Sequence, residues 1–572
     1  MHTAGDTRHG SSGKRPQAHW LSALLLVVIV AAAVVAHAPG LRNEFLNWDD
    51  DRNFLQNADY RGIGLAQWRW AWSTYHLGVW QPLAWMLLGA QYVAFGMDPL
   101  GYHATSLAIH ALNAVLVYFL CRQVLRLHGG VESTSENHRI ALASASAAIL
   151  FAVHPLRVEA VTWVSCQPYL PAVAVYLVAV MVYLQAAVKG HCGGISGRAW
   201  IATFLLYVVA LCFKAVAISL PAVLLVLDIW LLGRWQRGRR ARILVEKIPF
   251  MLVAAVISLW AIAAKDFNES RVPLREFDAI VRLAQSAWGV CFYLWKSVWP
   301  TGLLPYYRLP GDLRLTTPTY LVSAIVVITA TLTLLLLRRR ARKLLAAWLC
   351  YLVILLPNLG VVQIGQQLAA DRYSYLAIIP LMIVLAAGLT KAGHVGMQTG
   401  MALVIPAVLV TTAMLTQLTR QQAAMWKTSE SLWTATIKAD PGCAVAHCNL
   451  GEALLRKGDL PTASQHLSTA IDLDPQFCFA YTNLGVLLCQ ARQFEQAAQC
   501  GEHVLTIRPS LKGLDLARAH AMLGQAYAGL RKDDLAWRHT RIAEQLGLPE
   551  ASKMIEYLSG VSREPSTKPV AR

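Results

Sequence analysis

Phe45-Leu46-Asn47-Trp48-Asp49-Asp50-Asp51-Arg52 sets three consecutive carboxylates just beyond an apolar run, residues 21–38. The chain around it has 572 residues, 56% hydrophobic and only 15% charged. Soluble domains carry about 25% charged residues. Repeated apolar runs in so poorly charged a chain point to an all-α polytopic membrane protein with room for one further domain. An acidic cluster after a membrane span is ordinarily a solvated loop. Whether this one is more depends on what shares its side of the membrane.

Run 21–38 follows a basic N-terminus containing Lys14 and Arg15. It lacks a small-x-small cleavage signal and reads as a retained anchor with residues 1–20 in the cytoplasm. Residues 39–101 then form an external loop, carrying the aromatic run Trp68-Arg69-Trp70-Ala71-Trp72, suited to a membrane interface. Within it, 82–96 is too short to span and reads as a re-entrant or interfacial helix. Further crossings are expected near 103–125, 140–153, 167–188, 199–213, 215–232, 247–264, 319–337, 344–359, 373–389 and 401–415. Run 284–299 is kept out of the count. A crossing there would turn the basic run at 338–343 outward, against the positive-inside bias. The same bias at 237–242 splits 199–232 at Lys214.

The result is eleven spans over residues 21–420, with the N-terminus inside and the C-terminus outside. Asp49–Asp51, His154 to Glu159, Lys214 and Asp371-Arg372-Tyr373 then fall on the external face, where convergent charges are functional candidates. The net charge of +18 resides in short clusters between spans, which argues for anchors and against a nucleic-acid partner. Eleven cysteines without C-x-x-C spacing suggest neither a zinc site nor a disulfide framework.

Beyond residue 420 the pattern changes. Asn449-Leu450-Gly451 recurs as Asn483-Leu484-Gly485, and Asp440-Pro441, Asp474-Pro475 and Arg508-Pro509 keep the same spacing. A period of 34 residues resembles the tetratricopeptide repeat, a helix–turn–helix unit. Residues 421–548 therefore read as an α-solenoid, with 428–439 as the second helix of a partial leading repeat and 549–572 as a tail. Such stacks bind peptides or partner proteins, or brace what they adjoin.

Transfer of a sugar from a phosphate requires a base for the acceptor hydroxyl and cations for the leaving phosphate. Asp49 or Asp50 is the candidate base, or one of them a ligand for a divalent cation. Lys214 and Arg372 are the candidate phosphate cations; alone, each would read as a snorkelling side chain. His154, Arg157, Glu159 and Tyr373 are supporting candidates. His154 could pass a proton, while Arg157 and Glu159 could simply pair with each other at a helix end.

In this order, Asn47-Trp48-Asp49-Asp50, Gly101-Tyr102-His103, His110-Ala111-Leu112-Asn113-Ala114, His154-Pro155-x-Arg157-Val158-Glu159-Ala160-Val161-x-Trp163-Val164, Ala370-Asp371-Arg372-Tyr373-Ser374-Tyr375-Leu376 and the repeats resemble the transmembrane-and-tetratricopeptide-repeat-containing family. Those proteins are similar in architecture to the GT-C glycosyltransferases, protein O-mannosyltransferases among them. The resemblance implies a polyprenyl-phosphate-linked sugar donor in the membrane, often mannose, and a hydroxyl on an acceptor protein recruited by the repeats. It implies Asp49 and Asp50 as the acidic pair and Lys214 and Arg372 at the lipid phosphate. Two departures stand out: Cys166-Gln167-Pro168-Tyr169 where relatives carry charged residues, and Gln81-Pro82 where Arg-Pro is common. The expectation is an inverting glycosyltransferase facing the periplasm or an organelle lumen, with a bacterial inner membrane favoured. The competing expectation is a non-enzymatic scaffold that displays the repeats.

Overall fold

The computed structural model describes residues 17–127, 133–189, 194–267, 279–310, 317–360, 367–392, 397–507, 511 and 513–561. Residues 1–16 of the expected tail 1–20, residues 562–572 of the expected tail 549–572, and residues 361–366 of the loop before Arg372 lie outside them. The described chain is built of helices, and its one small sheet pairs Tyr307–Arg308 antiparallel with Gln367–Ala369.

Five helices are long and apolar enough to cross a membrane alone: Trp20–Arg42, Pro99–Arg126, Val164–Lys189, Arg240–Ala263 and Pro318–Leu336. Two bent pairs raise the number to seven: Thr134–Ala152 with Pro155–Thr162, bent by 61°, and Asp371–Ala377 with Ile379–Ala392, bent by 55°. The chain is a multi-pass membrane protein. The other expected crossings coincide with Gly197–Phe213, Ala215–Leu231, Arg342–Leu355 and Met397–Met425.

Each break has a local cause. Pro155 has no N–H to donate, and His154 caps the turn that it starts, its Nδ1 accepting from Leu156 N at 3.2 Å. At Lys214 the backbone is extended (φ −162°, ψ 139°), so Gly197–Phe213 stops and a 3-10 turn leads to the helix Leu220–Val226. Pro82–Phe95, the expected re-entrant or interfacial helix, spans 14 residues. Before it, Leu65–Ser73 leaves Trp68 and Trp72 exposed, as interface anchors would be.

Gln17–His37, Pro99–Arg126, Thr134–Ala152, Tyr169–Lys189 and Ile379–Ala392 pack into one core. The polar cluster of that core is Asp228, Arg234, Lys247 and Tyr183. Arg234 and Lys247 both pair with the fully buried Asp228, at 2.7 and 2.8 Å. A buried carboxylate between two cations is held by its partners rather than left to desolvation.

After Met425 the helices pair in sequence: Ala444–Lys457 with Leu460–Leu473, Cys478–Gln490 with Phe494–Ile507, and Gly513–Gly529 with Asp533–Gln545. Ser429–Ala439 precedes them, closed by a capping box at Thr428. Small residues set the close approach. A Cβ on Gly451 would lie 2.7 Å from Leu467 Cγ, and one on Gly501 would lie 2.5 Å from Leu523 Cγ. Gly501 and Val504, which depart from the repeat pattern, are nonetheless buried within the stack. The expected tail begins with a further helix, Ala551–Val561, which packs Leu558 against its predecessor.

Candidate active site

The stretch 45–52 is gripped from two sides. Asp50 is buried: Oδ1 accepts from Ser165 N at 2.9 Å and from Ser165 Oγ at 2.5 Å, and Oδ2 accepts from Leu46 N at 3.1 Å. Burial pushes its carboxyl up to about 7; the three hydrogen bonds hold back part of the rise, and the charge of Asp49 adds to it. Asp49 is half-buried with a left-handed backbone, φ +67°. A non-glycine residue in that region stores strain that its surroundings must impose. Here the imposing contacts are those of Asp50 and Trp48 on either side.

Trp48 O accepts from Trp163 Nε1 at 2.7 Å, and its ring packs on Trp163, Tyr306 and Trp433. Asn47 reaches the helical repeats: Nδ2 donates to Asn449 O at 2.8 Å, and Oδ1 accepts from Trp433 Nε1 at 2.8 Å. Asp51 accepts from Arg456 at 2.9 Å, and Arg52 pairs with Asp515 at 2.9 Å. The loop is thus a joint between the membrane helices and the repeats.

The second part of the site is the turn at 163–169. Cys166, buried there, lies within Coulombic reach of Arg372, Glu159, Lys214 and Asp50. Three elements far apart in sequence deliver those charges. Glu159 sits on the short helix Val158–Thr162 and is buried. It forms an ion pair with Arg372 Nη1, and its Oε2 also accepts from Arg372 N at 2.6 Å. The guanidinium of Arg372 stacks over Trp163 at 5.3 Å and over Tyr373 at 4.9 Å, and keeps 16% of its side chain exposed. Lys214 donates to Gln81 Oε1 at 2.9 Å.

Glu159 therefore pairs with Arg372 rather than with Arg157. Residues two apart on a helical turn point away from each other, so the local pair was not available. Arg157 is buried with its guanidinium over Phe151 and Tyr375, at 5.2 and 5.4 Å. His154 commits both ring nitrogens internally, with Nε2 donating to Ser297 O at 3.1 Å. It fastens the bent span and has no nitrogen left to pass a proton. Tyr373 OH accepts from Gln367 Nε2 at 2.7 Å and so fixes the strand beside Arg372.

Sequence reasoning did not single out Ser165, whose backbone and hydroxyl both hold Asp50. The two departures become legible. Gln81 is the partner of Lys214, and Gln167 lies in a buried amide cluster with Gln91 at 2.6 Å and Ser106 at 2.9 Å. Among the described residues no three His, Cys, Asp or Glu side chains gather as a metal's ligand set. Asp50 spends three lone-pair sites on its own chain, which leaves Asp49 as the member of the pair better able to meet a cation.

No family model matches the chain. Human protein O-mannosyl-transferase TMTC1 is 21% identical over 510 residues, covering 80% of this chain and 56% of that protein. Mouse protein O-mannosyl-transferase TMTC4 is 24% identical over 416 residues, covering 66% of this chain and 55% of that protein. Drosophila melanogaster protein O-mannosyl-transferase Tmtc1 is 31% identical over 161 residues, 26% of this chain and 17% of that one. The chain thus spans little more than half the length of its TMTC1 and TMTC4 relatives. Among solved structures, ArnT from Cupriavidus metallidurans bound to undecaprenyl phosphate aligns with 93% of this chain and 90% of that chain, at a TM-score of 0.36 and 16% identity.

Proposed function

We propose that this chain is a membrane glycosyltransferase that moves a sugar from a polyprenyl-phosphate donor to a hydroxyl on a protein, with inversion at the anomeric carbon. The carrying observation is the turn at 163–169, where Ser165 holds Asp50 beside the strained Asp49, and Trp163 donates to Trp48 O while Arg372, paired with Glu159, lies over the Trp163 ring. The names of the curated relatives favour mannose as the sugar and protein as the acceptor.

In this reading the acceptor oxygen attacks the anomeric carbon as the bond to the phosphate oxygen breaks. The hydroxyl proton passes to Asp49, the more accessible carboxylate. Asp50 is a positioning residue: tied to Ser165 and Leu46, it sets the backbone that presents Asp49. The polyprenyl phosphate leaves with its charge met by Arg372 and Lys214. Glu159 and Gln81 aim those two cations. No step passes through a metal. The basic runs at 237–242 and 338–343 favour a cytoplasmic N-terminus, with the site and the repeats facing the periplasm or a lumen. The repeats wall the site and offer the acceptor a docking face.

The test incubates purified full-length protein with radiolabelled polyprenyl-phosphate sugars and a protein extract from the external compartment. Label should appear on protein and vanish in Asp49→Asn, with the variant folded and inserted. Full activity in Asp49→Asn would sink the assignment of the base. No transfer from any donor, with function lost only on deleting residues 421–572, would favour the scaffold.

A further inference from the structure

A cavity of about 700 Å³ opens among the membrane helices, and it lies away from the candidate active site. Helix ends give its place. It is lined by Glu136 at the start of Thr134–Ala152, by Val124 at the close of Pro99–Arg126, by Arg342 and Lys343 at the start of Arg342–Leu355, and by Lys391 at the close of Ile379–Ala392. The opposite ends of three of these elements lead to the active-site side: His154 follows Ala152, Asn358 ends the turn after Leu355, and Asp371-Arg372 precede Ile379. The mouth of the cavity and the candidate active site are at opposite ends of one bundle, and the cavity's apolar floor reaches Leu376.

The walls are apolar, with Val180, Leu227, Ile354 and Ile383 among them, while the mouth carries Arg339, Arg340, Arg342, Lys343 and Lys391 against one carboxylate, Glu136. The five cations are exposed, and among the described residues none forms an ion pair. Lys343 feels the repulsion of both Arg342 and Lys391. Elsewhere in the bundle Arg234 and Lys247 pair with Asp228, and Arg157 lies over two aromatic rings. Positive-inside anchoring accounts for basic residues at a helix end, but it does not require that they ring an apolar hole. The volume is in the range of ligand pockets, and a basic rim between membrane helices is the chemistry that holds anionic lipid head groups.

The geometry points to a second ligand site, in which a membrane lipid with an anionic phosphate head group seats an acyl chain in this cavity and its phosphate among Arg342, Lys343 and Lys391. Gly388 supplies a clean probe. It lines the cavity, and a Cβ added there would meet nothing within 4 Å. Gly388→Phe should therefore narrow the cavity without a clash at its own Cβ.

The experiment is native mass spectrometry of the full-length protein released from detergent. It is titrated with palmitoyl-oleoyl phosphatidylglycerol, with phosphatidylcholine of the same chains, and with inorganic phosphate. Phosphatidylglycerol should bind at least tenfold better than phosphatidylcholine. Arg342→Ala/Lys343→Ala/Lys391→Ala should lose affinity on the order of a hundredfold, from a roughly fivefold contribution per cation. Gly388→Phe should lose it too, without any loss of charge. Equal binding of phosphatidylcholine, equal capture of inorganic phosphate, or wild-type binding by Gly388→Phe would each overturn the site.

Discussion

Asp50→Asn changes one atom and should change how stability depends on pH. The wild-type carboxyl is shifted from 3.8 to about 7 by burial. Below 3.8 both the folded and the unfolded chain hold this proton. Between 3.8 and about 7 the unfolded chain releases it while the folded chain keeps it. Stability therefore falls as pH rises through that window, by about 4 kcal/mol for a shift of this size. Asparagine removes the titration. It also cannot accept on both arms: with its oxygen toward Ser165, its NH2 faces Leu46 N–H, at a cost of about 1–3 kcal/mol. The variant should be the weaker protein near pH 4.5 and should equal or exceed the wild type near pH 8. Thermal unfolding in nanodiscs, followed by tryptophan fluorescence across that range, measures both, because Trp48, Trp163 and Trp433 adjoin the loop. A wild-type–variant difference that stays flat with pH would refute the claim that a desolvated carboxyl at Asp50 holds this loop.

Glu159→Ala strands Arg372 without its carboxylate and should cost about 3–5 kcal/mol, most of it recovered in Glu159→Ala/Arg372→Met; chemical denaturation of the reconstituted protein reads both. Gly501→Ala should destabilise the repeats by about 1–3 kcal/mol, since its Cβ meets the buried Leu523. Gly485→Ala should cost less, because the group it meets is Met522, which can bend away. Arg52→Ala/Arg456→Ala breaks three partly exposed ion pairs, Arg52–Asp515, Arg456–Asp51 and Arg456–Glu452, of about 1 kcal/mol or less each. Hydrogen exchange across Ala444–Lys457 should rise by roughly tenfold.

What could be read in advance followed from short-range physics. An apolar run announces a helix, and each of the eleven expected crossings falls on helical chain, of which five helices and two bent pairs are long and apolar enough to cross. The break at Lys214 was legible because the basic run at 237–242 would otherwise face outward, against the positive-inside bias. The partners were not legible. Glu159 meets Arg372 across 213 positions, and Asp51 meets Arg456 across 405. No local pattern carries such pairings, and the nearby alternative, Arg157, was the tempting one. Asp49 and Asp50 look interchangeable in the sequence. Their difference lies in a backbone angle and in the hydroxyl of Ser165, neither of which has a signature in composition or period.

The joint between loop and repeats bears on how such proteins can be recombined. Asn47, Asp51 and Arg52 are read by Asn449, Trp433, Arg456 and Asp515, so the repeat array is not a cassette that can be exchanged at a linker. A chimera that grafts a foreign array after Met425 would inherit a mismatched lock for its own first loop. The unit of exchange is discontinuous: residues 45–52 must travel with the repeats. Selection for a new acceptor, acting on the array, would then be filtered through eight residues near the other end of the chain.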